Sequence, residues 1–306
     1  MKVSVLALMA TPLLFAADQG QLALALKAQS DFGRVEMTAR PRIPEAQTCV
    51  QSQAAALAVS LPEDRSLLYY RKGYCAIAGA AASQDPLQFQ AAAENFDKAV
   101  ETWPERARKS PKHAPPEPVP AALRVFGGIA RLQAVAGVAV PAGARQEIAA
   151  ALQAPSCNST LIPTGFCSDL LTAGAQWLGW MALRGNQLDE AAHNFSGAPG
   201  TGWSAWVQGR REFDAARFRE AAAQYASAID VWKRIWQGEG PTFLQALGPR
   251  PQDAAALADW GGARMLAGDL AGAILTLDAS IQADSARMRY SCERAPRNST
   301  ADWTRR

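Results

Sequence analysis

The sequence predicts an all-α fold built from antiparallel helix-turn-helix hairpins. The main observation is a spacing of small and bulky residues that occurs three times with steps of twelve, four and three residues. The three copies are Gly179, Ala191, Phe195, Ala198; Gly209, Ala221, Tyr225, Ala228; and Gly261, Ala273, Leu277, Ser280. A second observation is that Pro62 and Pro86 stand where new helical patterns begin, a position at which proline is tolerated.

The segment 209–228 is the best-formed copy. Its small residues allow two helix backbones to approach closely, and the rings of Phe213, Phe218 and Tyr225 fill the space between the helices. No Gly or Pro marks the break between the two helices, which we place at 214–217. The second helix is expected to continue to the helix-breaking segment 238–241.

The rest of the chain is read from the same signals. We predict helices over 19–30, 44–61, 65–82, 121–138 and 145–152, and a helix from Pro86 to Trp103 that repeats part of the spacing as Ala92, Phe96 and Ala99. The helices 121–138 and 145–152 form a degenerate pair, in which Gly128 is the small residue. Segment 32–43 is expected to be an extended connector, 105–120 an exposed basic, proline-rich loop or linker, and 238–252 an insertion.

These motifs resemble the tetratricopeptide repeat family, whose unit is a helix-turn-helix of about 34 residues with a Leu-Gly pair, a later Ala and aromatic, and a closing Pro. Leu178-Gly179 matches the pair, Trp103-Pro104 closes a unit, and Gly185-Asn186 and Gly268-Asp269-Leu270 match interhelical turns. The resemblance covers about 67–284 and implies an α-solenoid, with a first repeat in 18–104, a degenerate helical pair and Cys loop in 121–166, and the main array in 167–284.

The first seventeen residues predict a cleaved secretory signal. One Lys precedes an apolar run that ends in Ala16-Ala17-Asp18. The alternative is a buried N-terminal helix. With the signal, the protein is expected to be periplasmic or secreted, and no later segment has the roughly 20 apolar residues of a transmembrane helix. A formal net charge of +3 does not indicate a nucleic-acid partner.

The chain has five cysteines, and after export they predict up to two disulfides. Cys49 and Cys75 lie at similar distances on either side of the turn at 62–64, so they can face each other across a hairpin. Cys157 and Cys167 can close a small loop, which leaves Cys292 over. Their spacing fits no metal site, and segment 285–306 is expected to be a basic, solvated tail.

No catalytic or cofactor-binding motif is present, and we expect no enzyme activity, cofactor or metal. Glu94, Asp97 and Glu101 fall on one helical face, but nothing in the pattern buries one of them to raise its pKa. A solvated face is therefore the preferred interpretation of these acids.

Binding is the remaining function, and similarity to peptide-binding tetratricopeptide arrays points to the first helix of each hairpin. Aromatic and Arg side chains at helical spacing form the candidate groove. They are Trp203, Trp206 and Arg210; Gln176, Trp180 and Arg184; and Tyr70 and Tyr74. The alternative is that the Trp residues belong to the core between repeats.

We therefore expect an exported, non-catalytic scaffold that binds a protein or peptide in the cell envelope. The alternative from another class is a helical glycan-binding protein or glycan-acting enzyme, in which Trp residues stack on sugars and two carboxylates perform acid-base chemistry. A structural spacer without a binding groove is a third possibility.

Overall fold

A computed structural model describes residues 19–104, 119–135, 141, 143–153, 164–236, 240–251 and 253–294, without the side chains of 164–168, 253 and 285–294. All regular secondary structure in these ranges is helical, which confirms the all-α prediction. The predicted signal 1–17, nearly all of the loop 105–120, and Cys157 with its proposed bridge lie outside the described residues.

Thirteen helices are present in the described ranges. They are α1 (Gln19–Glu36), α2 (Ile43–Ala58), α3 (Pro62–Ser83), α4 (Pro86–Glu101), α5 (Ala121–Ala134), α6 (Ala144–Leu152), α7 (Thr164–Arg184), α8 (Leu188–Ser196), α9 (Trp203–Asp214), α10 (Phe218–Trp236), α11 (Phe243–Leu247), α12 (Asp253–Leu266) and α13 (Leu270–Arg294). Their contacts divide the chain into two compact units, Met1–Trp177 with Pro241–Gly248, and Leu178–Gly240 with Pro249–Arg306.

In the first unit, the helices from α1 to α6 pack serially, each against its neighbours in sequence. Small residues again meet bulky ones across the hairpins. A Cβ added at Gly73 of α3 would lie 3.0 Å from the Phe96 ring of α4, and one at Gly128 of α5 would lie 2.8 Å from Ile148 of α6. The Phe96 ring also stacks on that of Phe126, with centroids 5.1 Å apart. The first unit therefore contains two hairpins with the predicted small-against-bulky packing.

Cys49 of α2 and Cys75 of α3 form a disulfide with a Cα–Cα distance of 5.9 Å. Pro62 begins α3 and fixes the turn between the two helices, so the cysteines meet at the same height of the antiparallel pair. Both residues are fully buried. The predicted pairing of Cys49 with Cys75 is confirmed.

The second unit contains three hairpins, α7–α8, α9–α10 and α12–α13, whose turns are formed in the same way. Each has one residue in the left-handed region, Asn186 (φ +56°), Ala216 (φ +59°) or Gly268 (φ +87°), two residues before the second helix begins. The following residue donates its N–H to the carbonyl five positions earlier, in the bonds Gln187 to Ala182, Arg217 to Glu212 and Asp269 to Arg264. These are Schellman-type helix ends.

The glycine of each copy also makes the same contact. A Cβ added at Gly179 would lie 2.8 Å from the Phe195 ring, one at Gly209 2.7 Å from the Tyr225 ring, and one at Gly261 2.7 Å from Leu277. Glycine is required here because the second helix inserts a bulky side chain directly against the first backbone. The repeated spacing thus corresponds to one repeated packing contact.

Several predicted boundaries differ from the structure. Helix α1 continues to Glu36, so part of the predicted extended connector is helical. The insertion contains the short helix α11, whose Phe243 ring lies 5.2 Å from that of Tyr74 within the first unit. Helix α13 continues to Arg294, into the segment predicted to be a tail.

The α3–α4 hairpin is longer than the later copies. Gly73 and Gln84, the left-handed residue of its turn, are eleven residues apart, against seven between Gly209 and Ala216. Gln84 and Ala92 are eight apart, against five between Ala216 and Ala221. Each helix therefore carries about one extra turn.

In the described part of the chain, no helix has the length and apolar character needed to cross a membrane.

Candidate functional site

Trp203 and Trp206, the leading groove candidates, lie in the core of the second unit with exposed fractions of 5% and 8%. The Trp203 ring stacks on Phe195, with centroids 5.5 Å apart. The Trp206 ring lies 4.4 Å from Tyr225 and 5.3 Å from Trp232. This placement corresponds to the core alternative for the two Trp residues, because little of either indole is accessible to a ligand.

Three other predicted groove residues are also buried, all in the first unit. Tyr70 and Tyr74 are each 1% exposed, and their rings pack edge-on against Phe32. Burial raises the pKa of both phenols well above the ordinary value. The Gln176 side chain is buried and lies against Gly248. These residues therefore do not extend a ligand surface.

The remaining candidates, Trp180, Arg184 and Arg210, are accessible. Trp180 of α7 is half-buried and packs on the core of the second unit. The guanidinium carbon of Arg184 lies 5.0 Å from the centroid of the Trp180 ring, in a cation–π contact. Arg210 of α9 is partly exposed, and its Nε lies 3.4 Å from Asp214 Oδ1.

The repeat itself places Trp180 and Arg210. Trp180 directly follows Gly179, and Arg210 directly follows Gly209, so each is one residue beyond the glycine that contacts the second helix. One helical step of about 100° turns the side chain away from that contact. Equivalent positions on successive first helices therefore carry an indole and a guanidinium on a partly exposed face.

Asp259 of α12 adds a carboxyl group beside Arg210. Burial raises the pKa of Asp259, and the positive charge of Arg210 offsets only part of that shift. Burial also raises the pKa of Tyr225, and the negative charge of Asp259 raises it further. We call Arg210, Asp214 and Asp259 the Arg210 patch. It offers both hydrogen-bond donors and acceptors on a surface bordered by buried aromatic rings.

Asp259 was not among the predicted site residues, although the repeat contains a signal for it. Asp259 stands two residues before Gly261, and the equivalent residues are Trp177 and Val207, which are both apolar and buried. An acidic residue at a position that is otherwise apolar indicates a departure from simple core packing.

A shallow depression lies at the turn ends of two hairpins in the second unit. Its lining comes from residues 216–220 and from Leu266 and Ala267. Glu220 is the one carboxylate in this lining, and no Trp contributes to it. The depression therefore lacks the pair of carboxyl groups that glycoside hydrolysis generally uses.

The acidic face on α4 is solvent-exposed at Glu94, Asp97 and Glu101. Asp97 accepts a hydrogen bond of 2.8 Å from Arg131, whose other terminal nitrogen bonds Glu147. This arrangement links α4, α5 and α6 by ion pairs.

Across the described ranges, no three His, Cys, Asp or Glu side chains are grouped closely enough to hold a metal ion.

Comparison of the chain with protein-family models and with curated proteins found no match.

Proposed function

We propose that the protein is an exported, non-catalytic scaffold of tetratricopeptide-like hairpins that binds a protein or peptide segment. The ligand surface is the accessible face of the first helices in the second unit, formed by Trp180, Arg184 and the Arg210 patch. The observation that carries the proposal is the shared register of Trp180 and Arg210, which leaves both accessible while their neighbours Trp203 and Trp206 form the core.

The part of this face formed by Trp180 and Arg184 suits a peptide that contains a carboxylate. The guanidinium of Arg184 lies over the Trp180 ring, a position that restrains a long flexible side chain before a ligand binds. Such a side chain loses less conformational freedom on binding. Arginine can donate two parallel hydrogen bonds to a carboxylate, and Trp and Arg are the residues most enriched in binding hot spots.

Two further observations support the scaffold and its export. In the second unit α9 packs on α10, α10 on α12, and α12 on α13, the serial order expected of a solenoid in which each hairpin contacts its neighbours. The Cys49–Cys75 bridge suits an oxidising compartment, where disulfides form and persist.

Affinity capture from native cell-envelope extract tests the proposal. The wild type is compared with Trp180→Ala and Arg210→Ala, and Arg234→Ala is the matched control because Arg234 is an exposed α10 arginine in an i,i+4 ion pair with Asp230. We expect one specific protein to be captured by the wild type and the control, and to be lost or strongly reduced with both site variants.

Circular dichroism of each variant checks that helical content is retained. The proposal is wrong if the same proteins are captured by all four forms, because the face would then make no contribution to binding. Specific retention of glycans with no captured protein would instead favour the carbohydrate-binding alternative.

A further inference from the structure

Segment 241–248 belongs to the first unit, although the helices before and after it belong to the second. Residues 237–252 connect α10 to α12, and within this connection Pro241–Gly248 packs with the first unit. The equivalent connection between α8 and α9 consists of residues 197–202. The longer connection contains helix α11, so it does more than join two hairpins.

Two apolar side chains of α11 are buried. Phe243 is 5% exposed, and the centroid of its ring lies 5.2 Å from that of Tyr74 on α3. Leu247, four residues later, is fully buried. Because residues four apart lie on the same side of a helix, α11 has one buried apolar face with two anchoring side chains.

Side chains of the first unit also bind the main chain of this segment. Gln133 Nε2 lies 3.3–3.4 Å from three carbonyl oxygens at the end of α11. Trp177 Nε1 donates a hydrogen bond of 2.7 Å to one of them, the carbonyl of Leu247. At the other end of the segment, the Phe243 N–H donates a hydrogen bond of 2.7 Å to the Ala39 carbonyl. We call Ala39, Tyr74, Gln133 and Trp177 the α11 groove.

These contacts have the form of peptide recognition. The last carbonyls of a helix lack partners within it, and here Gln133 and Trp177 supply donors to them. A helix of five residues is not stable by itself in water, so α11 depends on the groove for its structure. When a domain binds a short peptide, main-chain hydrogen bonds likewise provide affinity, and pockets for particular side chains provide specificity.

Glycine and proline flank the segment on both sides. Gly240 has φ +78°, and Pro241, Gly248 and Pro249 complete the two joints. Glycine adopts backbone conformations that are closed to other residues, and proline prevents a neighbouring helix from continuing into the segment. The segment can therefore leave the groove by rotation at these joints while α10 and α12 keep their helical hydrogen bonds.

We propose that the α11 groove is a peptide-binding site and that segment 241–248 is its resident ligand, which blocks the groove until an external peptide replaces it. The external ligand is a short, uncharged peptide with Phe followed four positions later by Leu, because the segment has no charged residue and is anchored by Phe243 and Leu247. The Tyr74 ring, which Phe243 contacts, faces that ligand only after the segment leaves. This inference does not depend on the ligand face proposed for the second unit.

Fluorescence anisotropy with a fluorescein-labelled peptide of residues 240–250 tests the site on the full chain. The double variant Phe243→Ala with Leu247→Ala should bind this probe at least about tenfold more tightly than the wild type. In the wild type the linked segment occupies the groove at a high effective concentration, and only the open fraction can bind the probe. A probe with Ala at both anchor positions should bind neither form.

Leu87→Ala is the matched control, because Leu87 is a leucine on α4 of the first unit that is 74% exposed. This variant should bind the probe as weakly as the wild type does. Adding Gln133→Ala to the double variant should weaken probe binding about threefold to tenfold, because a donor to the peptide main chain is removed. Circular dichroism checks that each variant keeps its helical content.

Hydrogen exchange of the unsubstituted protein provides a measurement that does not depend on the folding of a variant. A segment that leaves the groove by local opening exchanges its amides without unfolding of the first unit. The amides of residues 243–248 should therefore exchange at least about tenfold faster than those in the middle of α3.

The proposal is wrong if the folded double variant does not bind the probe, or if it binds the probe that lacks both anchors equally well. Equal protection of residues 243–248 and α3 also overturns it, because the segment would then leave only when the first unit unfolds. If the wild type is a dimer in sedimentation velocity and the double variant is a monomer, the segment of a second copy occupies the groove and the external-peptide proposal is wrong.

Discussion

Replacement of Gly209 by Ala tests the packing contact on which the repeat depends. The added methyl group would lie 2.7 Å from Tyr225 Cδ1 and 2.8 Å from Cε1, closer than carbon atoms pack. The Tyr225 ring cannot easily move aside, because it is 1% exposed and lies 4.4 Å from the Trp206 ring. The backbones of α9 and α10 would therefore have to separate.

Two opposing free energies determine the result. Alanine is favoured over glycine inside a helix by about 1 kcal/mol. Overpacking a well-packed core costs about 1–3 kcal/mol. We therefore expect Gly209→Ala to lower the free energy of unfolding by about 1 kcal/mol, with a range from about 0 to 2 kcal/mol.

Gly262→Ala is the matched control. Gly262 lies in a first helix of the same unit, and a Cβ added there has no heavy atom within 4 Å. It should gain about 1 kcal/mol from helix propensity alone. Since the propensity gain is common to both variants, their difference in unfolding free energy measures the overpacking cost, about 1–3 kcal/mol.

Urea unfolding followed by tryptophan fluorescence and by circular dichroism provides the measurement. Trp203, Trp206 and Trp232 lie in the core of the second unit and report on its unfolding. If Gly209→Ala stabilises the protein as much as Gly262→Ala does, the small-against-bulky contact does not exist and the reasoning is refuted.

Two further predictions concern the disulfide and Asp259. Replacing both Cys49 and Cys75 by Ala should lower the unfolding free energy by about 3 kcal/mol. The bridge joins residues 26 positions apart, and without it the unfolded chain can adopt more conformations. Equal urea midpoints with and without the bridge would contradict this. The folded-state pKa of Asp259 is raised, mainly by burial, so its stabilising contribution is fully present below its unfolded pKa and is lost as pH rises through the folded value. Asp259→Asn should therefore be more stable than the wild type at pH 7.5, by a margin that shrinks towards pH 4; a wild type that is more stable at pH 7.5 would show that the electrostatic attraction of Arg210 outweighs the cost of burial.

The sequence predicted the hairpins well where their geometry is local. The break at 214–217 and the turns at Gly185-Asn186 and Gly268-Asp269 depend on helix-end hydrogen bonds between residues at most five apart, so nearby residues specify them. The pairing of Cys49 with Cys75 also followed from position relative to one turn. Helix α11 was missed because its five residues are too few to show a helical period.

The candidate site could be predicted only in part. Periodicity placed Trp203, Trp206 and Arg210 on one face of a helix, but it cannot show how much of that face neighbouring helices cover. The two Trp residues contact Phe195, Tyr225 and Trp232, which lie on other helices, and they became core. The pKa of Asp259 likewise depends on its burial and on the charge of Arg210 on α9, which the sequence of α12 alone does not reveal.

The central claim is that the second unit repeats one hairpin, and a reciprocal exchange at two equivalent turn residues tests it most directly. Ala216 and Gly268 both have positive φ and both are exposed, and no heavy atom lies within 4 Å of a Cβ added at Gly268, so backbone conformation dominates the effect of substitution. A left-handed residue other than glycine costs about 1 kcal/mol. Urea unfolding should show Ala216→Gly stabilised and Gly268→Ala destabilised, each by about 1 kcal/mol. Changes of the same sign, or no change in either variant, would contradict a shared turn and with it the repeat.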